Sequence, residues 1–164
     1  MKKISIIMPV FNEEHFVVRA INAVTKARVG AKNIELIVVD DGSTDGTYKK
    51  IKKAKIQNKK LRVTIKIVRL VNNRGKGAAI RAGLKKVTGQ IVVIQDADLE
   101  YSPKEIRKLI RPINLGYADV VYGSRFMGGA PHRVLFFWHM IANKFLTLMS
   151  NAFTNLNLTD METG

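Results

Sequence analysis

Two aspartates one residue apart, Asp96-Ala97-Asp98, stand directly behind the apolar run Ile91-Val92-Val93-Ile94. Such a run reads as a buried strand, so both carboxylates fall at the rim of a sheet. Two hard oxygen ligands there suit Mg²⁺ or Mn²⁺, which keep waters and take further ligands from substrate phosphates. Glu100, two residues on, is a third candidate ligand. A second acidic pair, Asp40-Asp41, follows the run Ile34 to Val39 and precedes Gly42-Ser43. One aspartate of that pair suffices to hydrogen-bond a base or ribose, and the other is free to cap the next helix. Asn72-Asn73-Arg74-Gly75-Lys76-Gly77 has the glycines of a phosphate cradle without the P-loop spacing. Gly75 and Gly77 equally suit close helix packing. Gly123-Ser124-Arg125, and then Arg133, offer guanidinium groups able to fork a phosphate, with a surface ion pair as the plain alternative. His132 and His139 lack a companion at metal spacing and read as packing or surface residues.

These groups need elements to hold them. Lys3 to Val10, Ile34 to Val39, Arg62 to Leu70, Ile91 to Ile94 and Ala118 to Tyr122 read as strands, nearly all apolar. Between them lie helical stretches. One begins at Glu13 with Asn12 as its cap and ends near Gly30; a second covers Tyr48 to Ile56, with caps offered by Ser43 to Asp45. A third opens at the glycine loop and runs to about Val87. Ser102-Pro103-Lys104-Glu105 has the form of a capping box and starts a helix over Pro103 to Ile113. Apolar strands alternating with helices predict an α/β fold, a mainly parallel sheet covered on both faces. Ligands of such sheets bind beyond the carboxyl ends of the strands, where the polar groups above collect.

The chain has 164 residues and a formal net charge of +15. One domain is expected at this length. With no cysteine, a disulfide scaffold and any thiolate metal site are excluded. All the excess charge lies in the central third. From Gly46 to Gln95 there are 15 basic residues and no acidic one, while the remainder balances 13 against 13. The charge fits either a solvated face or attraction to an anionic partner. No aromatic residue follows Tyr48 within that stretch, which argues against single-stranded nucleic acid. A basic nucleic-acid-binding module would also leave the strand-end carboxylates idle. From Val134 to Phe153, apolar and aromatic residues recur at helical spacing, among them Phe137, Trp138, Ile141, Phe145, Leu148 and Met149. That helix suits either a core face or a membrane interface.

In combination these motifs resemble the family 2 glycosyltransferases of the GT-A fold, in the dolichol-phosphate mannose/glucose synthase-like branch. The carrying segments are Ile7-Met8-Pro9-Val10-Phe11-Asn12-Glu13, Val38-Val39-Asp40-Asp41-Gly42-Ser43-Thr44-Asp45, Asn73 to Gly77, Asp96 to Glu100 and Gly123-Ser124-Arg125-Phe126, in order along the whole chain. The resemblance implies a Rossmann-like single catalytic domain over 1–164, in relatives that usually continue past Gly164, so the chain is expected to be truncated at its C-terminus. Pro9, Phe11, Glu13, Val39 and Asp41 would line a nucleotide pocket, with Asp41 on the base. Gln95, Asp96, Ala97 and Asp98 would meet the ribose, diphosphate and metal. Glu100 would be a further ligand, at a position where many relatives carry glutamine. Arg125 and Arg133 would hold the phosphate of a lipid acceptor, and Asp98 and Arg125 are the residues on which catalysis is expected to turn.

The implied reaction moves mannose or glucose from GDP-mannose or UDP-glucose to a polyprenyl or dolichyl phosphate, with inversion and with Mg²⁺ or Mn²⁺. The implied location is peripheral, at the cytosolic face of a membrane, with 134–153 as the interfacial helix and no nucleic acid involved. A sugar-hydroxyl acceptor would instead require a carboxylate base, for which Asp160 or Glu162 is available.

Overall fold

The computed structural model describes residues 2–27, 29–31, 33–58, 63–98, 101–124 and 137–161. Glu100, Arg125, His132, Arg133 and Glu162 lie outside the described residues. Four strands form one parallel sheet: β1 (Ile4–Val10), β2 (Ile34–Asp40), β3 (Val63–Arg69) and β4 (Ile91–Ile94), in the order β3-β2-β1-β4. The helices are α1 (Val17–Lys26), α2 (Thr47–Gln57), α3 (Lys76–Leu84), α4 (Ile106–Asn114), preceded by a 3₁₀ turn at Pro103–Glu105, and α5 (Phe137–Thr154). Two compact units result, Met1–Ile110 and Arg111–Gly164. The first contains the whole sheet.

The near-continuous apolar strands β1 and β2 are explained by helices on both faces, whereas Val92 and Ile94 of β4 are exposed. α1 and α2 pack on each other, and α3 packs on β1 and β2. Right-handed crossovers put α1 and α2 on one face and α3 on the other. Strand alternation then sorts the core. Ile7, Ile37 and Val39 meet Ala79 of α3 in a fully buried cluster. Close approach there depends on Gly83, where an added Cβ would lie 2.7 Å from a methyl of Ile7. Gly75 and Gly77 do not serve that purpose. Gly75 has φ +84° at the start of α3, with open space where a Cβ would stand, and Gly77 would touch only Arg81.

Several sequence expectations are corrected. Ala118 to Tyr122 is irregular backbone, not a fifth strand, and Val120 and Tyr122 are exposed. An apolar run becomes a strand only beside another strand, and no ladder partner meets it among the described residues. α1 begins at Val17, because Glu13 to Phe16 form a turn in which the Glu13 carbonyl accepts the amides of Phe16 and Val17. Asn12 caps nothing: its side chain accepts the Thr44 amide instead. Ser102 makes no side-chain cap, although its carbonyl accepts the Glu105 amide.

Glu35, the second residue of β2 and so at the amino end of the sheet, is fully buried. Ser5, opposite it on β1, donates to Oε1, and Thr88 donates its amide to Oε1 (2.6 Å) and its hydroxyl to Oε2 (2.7 Å). Lys66 of β3 closes an ion pair at 2.8 Å, with Lys3 at 3.4 Å. Gly89 donates to the Ser5 hydroxyl. One carboxylate thus ties β1, β2, β3 and the turn leading to β4. Burial pushes its pKa up, but the bonds from Lys66, Ser5 and Thr88 outweigh burial and hold it well below the carboxylate range.

Removing the carboxylate strands buried donors, so Glu35→Ala should cost about 3 kcal/mol, read from denaturant midpoints. The lowered pKa also fixes a sign. The folded state binds fewer protons than the unfolded one, so the stabilisation is present above the ordinary value of 4.5 and is lost as the pH falls below it. Glu35→Gln should be less stable than wild type at neutral pH and lose less on acidification, in melts from about pH 6 to about pH 3.

Candidate functional site

The chain runs from β1 to β2 to β3 in one direction, then returns to set β4 on the other side of β1. Loops leaving β1 and β4 diverge at such a reversal and leave a crevice at the carboxyl ends. A cleft of about 270 Å³ opens there, lined by residues following β1 (Phe11, Glu13), β2 (Asp41) and β4 (Asp96, Ala97, Asp98), with Asn73, Gly75 and Lys76 at the start of α3.

Asp40 and Asp41 divide their work. Asp40 is fully buried and its Oδ1 accepts the Ser43 amide at 3.2 Å. Asp41, the next residue, turns to the other side and lines the cleft, where its Oδ1 accepts the Arg74 amide at 3.0 Å. The loop after β1 is stitched to the loop after β2: Asn12 donates its amide to Ser43 Oγ, and Glu14 accepts the Gly46 amide at 2.9 Å. The Lys50 ammonium adds a bond to the Glu14 carbonyl at 2.9 Å.

The floor of the cleft is acidic. Burial first, then the charges of Asp98 and Asp45, raise the Glu13 pKa above its ordinary value. The Lys76 ammonium lies 2.7 Å from Asp96 Oδ2. A cation stands against one aspartate of the pair, and burial, with the charge of the other, raises the proton affinity of Glu13. Two hard oxygen donors at a rim fit Mg²⁺ or Mn²⁺, although no cluster of three such ligands forms among the described residues.

Of the residues singled out in the sequence, Pro9, Phe11, Glu13, Asp41, Asp96, Ala97 and Asp98 come together on the cleft. Val39 does not: it is fully buried beneath α3. Gln95 is buried as well, and its Nε2 donates to the carbonyls of Tyr101 (3.1 Å) and Asp96 (3.3 Å), buttressing the segment that carries the aspartates. The specific role of Lys76 is not visible in sequence beyond its place in a glycine-bearing loop.

Residues 5–159 match the profile of glycosyl transferase family 2, and the chain belongs to that family. It is 34% identical over 127 residues to a dolichol-phosphate mannosyltransferase of Pyrococcus furiosus, covering 77% of this chain and 34% of that protein. Among solved structures it resembles the mannosyltransferase PcManGT of Pyrobaculum calidifontis in complex with GDP-Man and Mn²⁺, at 30% identity and a TM-score of 0.55, over 59% of this chain and 28% of that one. It also resembles the glucosyl-3-phosphoglycerate synthase of Mycobacterium tuberculosis in complex with UDP, at 28% identity and a TM-score of 0.54, over 68% of this chain and 40% of that one. The chain thus spans about a third of the length of the first of these relatives. The α/β sheet is that of the GT-A glycosyltransferases.

The closeness of the two cleft loops depends on Gly42, which has φ +70° and whose added Cβ would stand 2.5 Å from the Asn72 carbonyl carbon. Gly42→Ala should therefore push the 72–74 loop off Asp41 and add about 1–2 kcal/mol of backbone strain. A lowered melting temperature together with faster hydrogen exchange at the Arg74 amide checks this.

Proposed function

We propose that the cleft binds the nucleoside diphosphate of GDP-mannose or UDP-glucose, and that the protein transfers the hexose to a polyprenyl or dolichyl phosphate with inversion. The observation that carries this reading is the convergence of Asp41, Asp96 and Asp98 on one crevice at the strand-order reversal. The solved relatives named above hold GDP-Man with Mn²⁺, or UDP. Asp41 would accept from a base, and Phe11, exposed on the same cleft, would offer it an aromatic surface. Asp96 and Asp98, with Glu100, would hold a divalent cation, which when bound neutralises charge building on the departing diphosphate. Lys76 reaches the same place and adds a movable positive charge, able to turn from Asp96 to a phosphate oxygen.

Arg125 and Arg133 would fork the acceptor phosphate. A phosphate acceptor is already ionised at neutral pH, so its oxygen attacks the anomeric carbon with no general base; alignment is what the protein supplies. A sugar-hydroxyl acceptor would need such a base. Asp160 is buried and accepts from Asn143 Nδ2 at 3.1 Å, a setting suited to holding its own segment rather than to proton transfer.

Attachment to a membrane surface belongs to the same reading. α5 turns its polar seam inward: Asn143 and Thr147 are buried, and Asn151 both donates to and accepts from the backbone of Leu158. The segment 155–161 covers that seam. Trp138, Phe145, Leu148 and Phe153 are left 61–82% exposed. No helix among the described residues is long and apolar enough to cross a membrane. The exposed cations are divided: Lys49, Lys52, Lys53 and Lys55 of α2 lie on one face of the sheet, and Arg81, Lys85 and Lys86, on and just beyond α3, lie on the other.

GDP or UDP with Mn²⁺ should raise the melting temperature by roughly 5–11 °C when the ligand is about 100-fold above its Kd. Asp98→Asn should melt like wild type without ligand and lose the metal-dependent part of the rise. Absence of any nucleotide effect on the wild type would overturn the reading.

For the membrane, Trp138 is the only tryptophan, so its emission reports on α5 alone. Vesicles should shift that emission to the blue. Binding to anionic vesicles should weaken with salt but persist, because lysine attraction of about 1 kcal/mol per residue is screened and apolar insertion is not. An unchanged emission with both anionic and neutral vesicles would refute insertion of α5.

A further inference from the structure

We propose that Arg69 is a positioning residue for the cleft: by holding the buried Asp40 carboxylate it fixes the 40–43 turn, and so the aim of Asp41. This rests on the nucleotide-binding reading of the cleft and extends it to a residue outside the cleft wall. Asp40 and Arg69 are opposite one another in the β2–β3 register, so both side chains fall on the α2 face. Among the described residues, Asp40 Oδ1 takes the Ser43 amide, while Oδ2 accepts no hydrogen bond and stands 3.2 Å from Arg69 Nε. That ion pair is what compensates a fully buried oxygen. The guanidinium is itself held: its central carbon lies 4.2 Å from the centre of the Tyr48 ring, and the Lys52 ammonium lies over the same ring at 4.9 Å. The ring at the start of α2 gives a half-exposed arginine one preferred plane.

From this pair the constraint reaches Asp41 on two sides. On one, the Ser43 amide is drawn back to Asp40, which closes the turn in which Asp41 sits, and Ser43 Oγ in turn accepts the Asn12 amide from the loop after β1. On the other, the Leu70 amide donates to the Asp40 carbonyl at 2.8 Å. That bond starts the loop whose Arg74 amide lands on Asp41. Without Arg69 the Asp40 oxygen is a buried charge lacking its counterion, and the cheapest relief is for the 40–43 turn to open to water. The result is a misdirected Asp41 on a sheet that is otherwise intact. Lysine at this position keeps the charge but neither the planar stack on Tyr48 nor the fixed fork.

The test compares Arg69→Ala, Arg69→Lys and Tyr48→Leu with the control Lys53→Ala on the full chain. Two readouts are used: calorimetric binding of GDP and of inorganic pyrophosphate, each with Mn²⁺, and hydrogen exchange at the Arg74 amide. Arg69→Ala should bind GDP about tenfold more weakly and pyrophosphate as wild type does, because the error lies at the Asp41 end of the cleft. Arg69→Lys and Tyr48→Leu should fall between. Arg74 exchange should quicken several-fold in the same order and stay unchanged in the control. Equal losses for GDP and pyrophosphate, or an Arg74 amide that exchanges at the wild-type rate in Arg69→Ala, would overturn the proposal. A wild type that binds neither ligand would sink the nucleotide reading, while the exchange readout would still decide whether Arg69 sets the Asp41 loop.

Discussion

Parallel pairing without stagger is the constraint on which this molecule turns. Val10, Asp40 and Arg69 stand in one row at the carboxyl ends of three neighbouring strands. Every strand points the same way, so the loops after β1, β2 and β3 leave from that row, while β4 ends earlier, with Ile94 opposite Ile7. The return of the chain to place β4 beside β1 then parts those loops and makes a crevice. Three short acidic segments far apart in sequence meet because each follows a strand. Their distance in the chain is irrelevant; their register in the sheet is what brings them together.

The two ends of the sheet treat charge in opposite ways. At the amino end Glu35 is buried, with donors filling its oxygens and two lysines closing the charge. At the carboxyl end carboxylates are gathered on an open cleft, where burial and the charges of Asp98 and Asp45 raise the proton affinity of Glu13 and Lys76 stands against Asp96. A satisfied hub fixes geometry, whereas the acidic rim lines an open cleft. The close approach at Gly83 lies over the strands and that at Gly42 just beyond their carboxyl ends, and both bring backbone or apolar side chains nearer than a Cβ would permit.

Much of this was legible in the sequence, for a physical reason. Buried strands must be apolar along their length, and the chemistry of an open parallel sheet must follow them, so a search for acidic residues behind apolar runs reached Asp41, Asp96 and Asp98. The failures have physical causes too. Ala118 to Tyr122 has the composition of a strand, but composition does not supply a ladder partner. Asn12 looks like a helix cap, yet its side chain does more by joining two loops. Val39 sits on the α3 side of its strand, a fact set by alternation and by which helix crosses overhead. Arg69 gave no signal, because its meaning depends on lying opposite Asp40 in register. Glu35 did carry one: a carboxylate among buried residues announces a network, though not its members.

The covered seam of α5 has a consequence for how its apolar face meets anything. Asn143, Thr147 and Asn151 already have partners within the 143–161 segment, so the helix does not await a contact in order to form. Association through Trp138, Phe145 and Phe153 is then docking of a finished surface. No helix-forming entropy would be spent in the encounter, helical content would stay constant, and the thermodynamic mark would be a negative heat-capacity change from buried apolar area.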